Sequence, residues 1–336
     1  MKCEEKYNNE EDLIRCYVAE ADRYIHLVLS LFTLKSELRK QENVKAFIEP
    51  EVRRLDGKGV FSPDLLVIDY SSHSDLLEGA AIDHKKIESK NPSYIKNEIS
   101  KVRKYLTQII WPEGSKSFKV NIKDVAVLCS YDIWLNIKDL LPKNLDVHII
   151  SYKVIENAIE YTHETHRVLS FKTMILRRFF KKHTRKVRIS PETRSYCFIR
   201  QKPPEHFLAL RVYEIALSLG TEVLKEEISL DYETLRVQIN KFYPYYMSTA
   251  GQKVQQLQDS RLWQALRLLE ELEIAEIKGR TIKIKRPKMK RHDVYFYRKY
   301  AKYKLSKMKP KKPKKQIKKL KHDKTITLNH FFKTNK

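Results

Sequence analysis

Asp64, Asp83 and Lys85 have the types and the spacing for work on a phosphate ester. In an extended strand residues two apart share a face, so Asp83 and Lys85 project together while Ile82 and His84 face the other way. A strand through "PDLLVID" running beside the strand of Asp83 brings Asp64 to the same place. Two carboxylates at one point can hold a hard divalent ion, Mg²⁺ or Mn²⁺, through oxygen ligands. Such an ion polarises a phosphoryl oxygen and lowers the pKa of a water, while the Lys85 ammonium orients that water or offsets charge in the transition state. The reaction assembled from these parts is phosphodiester hydrolysis. His84 reads as a packed or hydrogen-bonded histidine. A second acid-x-Lys, Glu88-Ser89-Lys90, sits just before Asn91-Pro92, where a strand is ending, and ranks below the Asp83 pattern.

Elements that position these residues follow from periodicity. Leu13, Tyr17, Ala21, Tyr24, Val28 and Phe32 recur at helical spacing over residues 10–35, with Asn9 as cap and Glu10, Glu11 and Asp12 suiting the helix dipole. Residues 44–54, 63–70 and 79–87 read as strands, the first two joined through "LDGKG" as a hairpin. "SYIKNEISKVRKYLTQII" reads as a helix, and "DVAVLCSY" and "LDVHIISY" as two more strands. The expected order is α-β-β-β-α-β-β.

Pro63-Asp64 followed by Asp83-His84-Lys85, on that order of elements, resembles the PD-(D/E)xK nuclease superfamily, over about residues 10–160. The resemblance implies an α/β fold, a restriction-endonuclease-like mixed sheet flanked by helices, and metal-dependent cleavage of DNA. Asp64 and Asp83 are then metal ligands and Lys85 the catalytic amine. Members often add an acid from the first helix. Glu20, on the inward stripe of residues 10–35, is the natural candidate as a catalytic and metal-binding residue; Glu51, from the first strand, is its rival. Lys101 and Lys104, with Lys96 and Arg103, lie on the following helix as candidate phosphate contacts. Symmetric double-strand cutting would require a homodimer or paired action.

The chain has 336 residues, 42% apolar and 10% aromatic, enough for two packed domains and a tail. Lys and Arg number 67 against 42 acids, a formal charge of +25, which favours nucleic acid over membrane as partner. No apolar run approaches a membrane span and no signal-peptide layout opens the chain, so an intracellular protein of cytoplasm, nucleoid or nucleus is expected. Seven glycines form no phosphate-cradling pattern, which leaves a nucleotide-hydrolysing motor unsupported. Cys3, Cys16, Cys129 and Cys197 are far apart, and neither a disulfide nor a zinc site is expected.

Residues 1–160 are thus expected to form the nuclease domain and the basic stretch 161–204 a helical linker ending in two prolines. In 205–287, three helical patterns and a hairpin around Lys278-Gly279-Arg280 suggest a winged helix. Its third helix buries Leu262, Leu266, Leu269 and Leu272 and turns Arg261, Gln264 and Arg267 outward, suited to a major groove, while Lys278 and Arg280 meet the backbone. Winged helices also dock proteins. Residues 288–324 read as a disordered basic tail, with ten lysines among the twenty residues from Leu305 to Lys324.

Thr325-Ile-Thr-Leu328-Asn-His-Phe331-Phe332 then restores large hydrophobes at i, i+3 and i+4. This resembles the sliding-clamp-binding peptide of replication and repair proteins, with Thr325 where that peptide has Gln. The whole reads as a clamp-tethered, Mg²⁺-dependent DNA endonuclease. Two alternatives stand: a non-catalytic DNA-binding adaptor that keeps the fold, and a transposon-end cleaving endonuclease, which the nuclease-plus-winged-helix layout resembles.

Overall fold

The computed structural model describes residues 3–57, 59–71, 76–85, 91–113, 115–141, 146–190, 203–220, 226–241, 246–247, 253–254, 259–287 and 291–308. A short helix, α1 (Cys3–Lys6), precedes the long helix α2 (Glu10–Leu38). Asn9 starts α2 by accepting the Asp12 N–H at 2.9 Å, and three acids in its first turn complement the dipole. Its stripe from Leu13 to Phe32 is buried as the spacing requires. Cys3 and Cys16 correct the expectation of no disulfide: the turn between the helices sets their Cα atoms 5.9 Å apart and they are bonded. Cys129 is free and buried, which pushes its thiol up to about 12.

The strands β1 (Val44–Ile48), β2 (Val52–Arg54), β3 (Val60–Phe61), β4 (Leu65–Asp69) and β5 (Leu76–His84) follow. The "LDGKG" hairpin joins β2 to β3, while β1 pairs with β4. After α3 (Pro92–Ser100), capped by Asn91, a 3₁₀ turn (Lys101–Tyr105) ends the helix earlier than its apolar spacing suggests. Ile109 and Ile110 instead extend β6 (Gln108–Glu113), because a ladder against β7 (Lys116–Ser130) and β2 suits β-branched residues better than more helix. Helix α4 (Tyr131–Ile137), β8 (His148–Ile155) and β9 (Ala158–His163) come next.

The segment expected to be a helical linker from residue 161 carries a short helix, α5 (Met174–Phe179), and β10 (Thr184–Arg188), which pairs with β9. The sheet therefore runs past residue 160. Of β10 only Val187 is fully buried, so charge masks its alternation. Among the described residues the sheet has ten strands in the order β1-β4-β5-β7-β6-β2-β3, with β8 on the other half of β7 and β9 and β10 beyond it. The β5–β7 and β7–β8 pairs are parallel and the rest antiparallel, a curled mixed sheet. Helix α2 covers one face, with Leu65, Val67, Ala80 and Ile82 beneath it. Helix α3 and the 3₁₀ turn cover the other, over Leu66, Ile68, Ala81 and Val127.

The C-terminal part runs α6 (Glu205–Leu219), β11 (Glu227–Asp231), α7 (Tyr232–Asn240), the small pair β12 (Tyr246–Met247) and β13 (Lys253–Val254), α8 (Asp259–Glu271), β14 (Ala275–Lys278) and β15 (Thr281–Lys285). Strands β11, β15 and β14 form a three-stranded sheet in that order. The basic stretch after it is corrected in part: α9 (His292–Lys307) is a helix that buries Phe296, Tyr297, Tyr300 and Ala301. Aromatic residues at i, i+1 and i+4, with Ala301 at i+5, supply a stripe that the lysines obscure in composition. Tyr300 meets Tyr17 of α2 with ring centroids 4.7 Å apart, and Tyr24 of α2 meets Phe207 of α6 at 5.2 Å. His206 Nε2 lies 3.0 Å from the Tyr17 carbonyl, buried enough to push its pKa down to about 4. Among the described residues no helix is long and apolar enough to cross a membrane.

Candidate functional site

Strands β4 and β5 are antiparallel with Leu65 opposite Ile82. One step outward in that register Asp64 stands opposite Asp83. The neighbours fix the face: Leu65 and Ile82 belong to the core under α2, so Asp64 and Asp83 point to the opposite face. Both are nearly enclosed, 4% and 6% exposed. Buried carboxylates need compensation. The N–H of His84 donates to Asp64 Oδ2 at 2.5 Å, and Lys85 Nζ lies 2.6 Å from Asp83 Oδ2. The Lys85 N–H is tied to the Leu128 carbonyl of β7 at 3.0 Å, which anchors the end of β5.

A residue that the sequence pattern did not single out feels the charge of the pair. Tyr105, at the end of the 3₁₀ turn, is 3% exposed, and its hydroxyl donates to the Ser62 carbonyl at 3.5 Å. Burial raises its phenol well above the usual range, and the charges of Asp83 and Asp64 raise it further, so it remains a neutral donor. One signal for it was available: Tyr105 ends the apolar stripe Ile95, Ile99, Val102, and a tyrosine in a core stripe needs a polar partner for its hydroxyl.

Glu20 does not join the pair, which corrects its expected role as catalytic residue and ligand. It lies on α2, across the sheet, and its charge acts on Tyr17 and on Tyr300 of α9. The inward stripe that suggested it faces α9 at that level. Glu51 is half-buried in the link between β1 and β2, and Glu49 beside it donates its N–H to the Asp64 carbonyl at 2.9 Å. Among the described residues no three His, Cys, Asp or Glu side chains assemble as a metal-holding group. Two carboxylates do fit Mg²⁺ in their chemistry, since that ion takes one or two protein carboxylates and fills its remaining positions with water and substrate oxygens. His84 faces α2, with its ring 6.3 Å from that of Tyr152.

Of the basic candidates, Lys101 and Lys104 are exposed on the turn that carries Tyr105. Lys101 pairs with Glu98, and Lys104 Nζ lies 5.0 Å over the Tyr105 ring. In α8, Leu262, Leu266, Leu269 and Leu272 are buried, Gln264 and Arg267 are exposed and Arg261 is half-buried. Lys278 and Arg280 are exposed at the β14–β15 turn, Lys278 with Glu276 at 2.6 Å. Glu88-Ser89-Lys90 and the segment holding Thr325, Leu328, Phe331 and Phe332 lie outside the described residues. No family model, curated protein or solved structure matches the chain.

Proposed function

We propose that the chain is a metal-dependent DNA endonuclease of restriction-endonuclease-like fold with a winged-helix reader. One observation carries this reading: Asp64 and Asp83 meet on one face of adjacent strands, with the Lys85 ammonium 2.6 Å from Asp83. An ion of the Mg²⁺ class bound there would polarise a phosphoryl oxygen and lower the pKa of a water. The protein's own contribution is to bring paired carboxylates into a nearly dry site and to keep a cation beside them. Lys85, partly exposed, can turn from Asp83 to a phosphodiester and offset charge that develops on its oxygens. Lys104 and the net charge of +25 supply attraction for the backbone.

The order helix, strand, helix, small strand pair, helix, strand, strand from α6 to β15, with β15 between β11 and β14 and the pair β12–β13 separate, supports the winged helix. Gln264 and Arg267 on the outer side of α8 are then its base contacts, with Arg261 at their margin, and Lys278 and Arg280 its backbone contacts. Attachment to a sliding clamp through Thr325, Leu328, Phe331 and Phe332 rests on the sequence pattern alone.

A second reading, a DNA-binding adaptor without catalysis, draws support from the acid pair having no third acid among the described residues and from the ion pair that already occupies Asp83. Incubation with branched, nicked and linear DNA in Mg²⁺ or Mn²⁺ separates the two. The endonuclease cuts at least one of these, and Asp83→Ala and Lys85→Ala abolish cutting while DNA binding persists. Binding without any cutting by the wild type would leave the adaptor.

A further inference from the structure

We propose that the open face of β8, β9 and β10 carries the DNA on one side of the acid pair, with Lys153, Lys186 and Arg188 as its phosphate contacts. The inference rests on the endonuclease reading and deepens it by giving the substrate a direction across the protein.

The pairing registers place these residues. Lys153 of β8 stands opposite Glu160 of β9, and Glu160 opposite Lys186 of β10, with Arg188 two residues further along the same face. The residues that alternate with them, Tyr152, Ile159, Tyr161 and Val187, are buried in the core under α2. Lys153, Lys186 and Arg188 therefore lie on the face away from α2, the one to which Asp64 and Asp83 point, and all three are exposed. The hydroxyls of Thr162 and Thr184 meet on that face, 3.2 Å apart.

Charge says what such a face fits. Facing strands are ordinarily stabilised by opposite charges across the pair, but here three cations surround one acid. From residue 165 to residue 191 the chain has nine Lys and Arg and no Asp or Glu. Lys40, Lys45, Lys101, Arg103 and Lys123 each lie against a carboxylate. Among the described residues, Lys153, Lys186 and Arg188 have no such partner. The Lys153 ammonium instead stands 5.8 Å over the ring of Tyr131, exposed at the start of α4. Uncompensated cations with threonine hydroxyls between them suit phosphate oxygens, the contacts that position DNA without reading its sequence.

The registers also set the offset from the acids. Asp83 stands opposite Val127 of β7, and Val127 opposite Ile149 of β8, four residues before Lys153. With strands about 4.8 Å apart and about 3.3 Å per residue, Lys153 lies roughly 16 Å from Asp83 along the sheet, and Lys186 roughly 23 Å. At about 3.4 Å per nucleotide the contacts fall about five to seven nucleotides from the cut.

Two measurements test this. The first is binding to a linear duplex without divalent metal, for a variant combining Lys153→Ala, Lys186→Ala and Arg188→Ala and for one that removes the same charge behind the sheet, Arg15→Ala, Arg23→Ala and Arg39→Ala, all exposed on or beside α2. At about 0.9 per phosphate, the first variant should lower the slope of log affinity against log salt by about 2–3 and the second by less than about 1. The second measurement shortens the DNA from either side of the cut mapped with wild-type protein in Mg²⁺. Wild-type affinity should fall when one side, and only one, drops below about seven nucleotides, and the first variant should be indifferent to that shortening. Equal slopes for the two variants, or a flank requirement that the first variant keeps, overturn the assignment of this face, and wild-type cutting then leaves the endonuclease reading standing. A wild type that cuts no DNA overturns the endonuclease reading instead, and the slopes, which need no cutting, still decide whether this face binds DNA.

Discussion

Asp64 and Asp83 face each other from adjacent antiparallel strands, and the Lys85 ammonium lies 2.6 Å from Asp83. Removing the cation alone is then worse for the fold than removing cation and anion together. Lys85→Met leaves two enclosed acids in mutual repulsion, whereas Asp83→Asn with Lys85→Met leaves one, still held by the His84 N–H. In a double-mutant cycle by urea unfolding at neutral pH, the single Lys85→Met variant should be the less stable by about 1–3 kcal/mol. Acidification that protonates one carboxylate should narrow this gap. Equal stabilities at both pH values would mean that the acids are not close.

The acid pair was legible because each of its members sits at a strand end in a pattern of period two, which fixes the face as well as the element. Tyr105 was not, since a tyrosine in an apolar stripe reads as core until the fold sets the acid pair near it. Glu20 shows the reverse error. The helical stripe correctly marked its inward side, but a helix of 29 residues spans the sheet and also α9, and periodicity does not say which neighbour an inward side chain meets at a given level. In β10 and α9, net charge concealed short buried patterns of one and four residues.

The buried chain Asp124, His148 and His163 predicts loss of stability in mild acid. His148 Nδ1 and His163 Nε2 are 3.1 Å apart, and His148 Nε2 is 3.4 Å from Asp124. Burial first, then the charges of His148, His166 and His183, push His163 down to about 3, against the opposing charge of Asp124. The unfolded chain, with an ordinary histidine pKa of about 6.5, therefore binds the proton first. The stabilising contribution is complete above that value and is lost as pH falls toward about 3. Despite its burial, Asp124 is held at about 2 by bonds from His148, Thr173 and Lys172, so its contribution is lost only below the usual carboxylate range. The urea midpoint should fall between pH 7 and pH 5, and His163→Asn should flatten part of that fall, His206 supplying much of the rest. An identical slope in the variant would contradict this protonation order.

Helix α9 makes the stretch after residue 291 a structural element. Phe296 is fully buried, and Tyr300 is packed on Tyr17. Phe296→Ala should cost about 3–5 kcal/mol, as for other large aromatic side chains removed from a core. Lys302→Ala, on the exposed side, should stay within about 0.5 kcal/mol. Urea unfolding reads both, and equal, small effects would show that the helix does not dock.

Salt dependence distinguishes contacts to the DNA backbone from contacts to bases. Each phosphate neutralised contributes about 0.9 to the slope of log affinity against log salt. Arg280 is exposed at a turn fixed by Gly279, with φ of 59°, and by the Tyr232 N–H donating to the Arg280 carbonyl at 2.8 Å. Arg280→Ala should lower the slope by about 1 and weaken all sequences alike. Lys278 is already paired with Glu276 and must give up that contact to meet a phosphate, so Lys278→Ala should change the slope less. Glu276→Ala should raise affinity by freeing Lys278. Arg267→Ala, on the outer side of α8, should instead weaken preferred sequences selectively by about 1–3 kcal/mol with little change of slope. A selective loss at Arg280 and a uniform one at Arg267 would exchange the assignments of turn and helix, and no change at either would make this part of the chain a protein-docking unit.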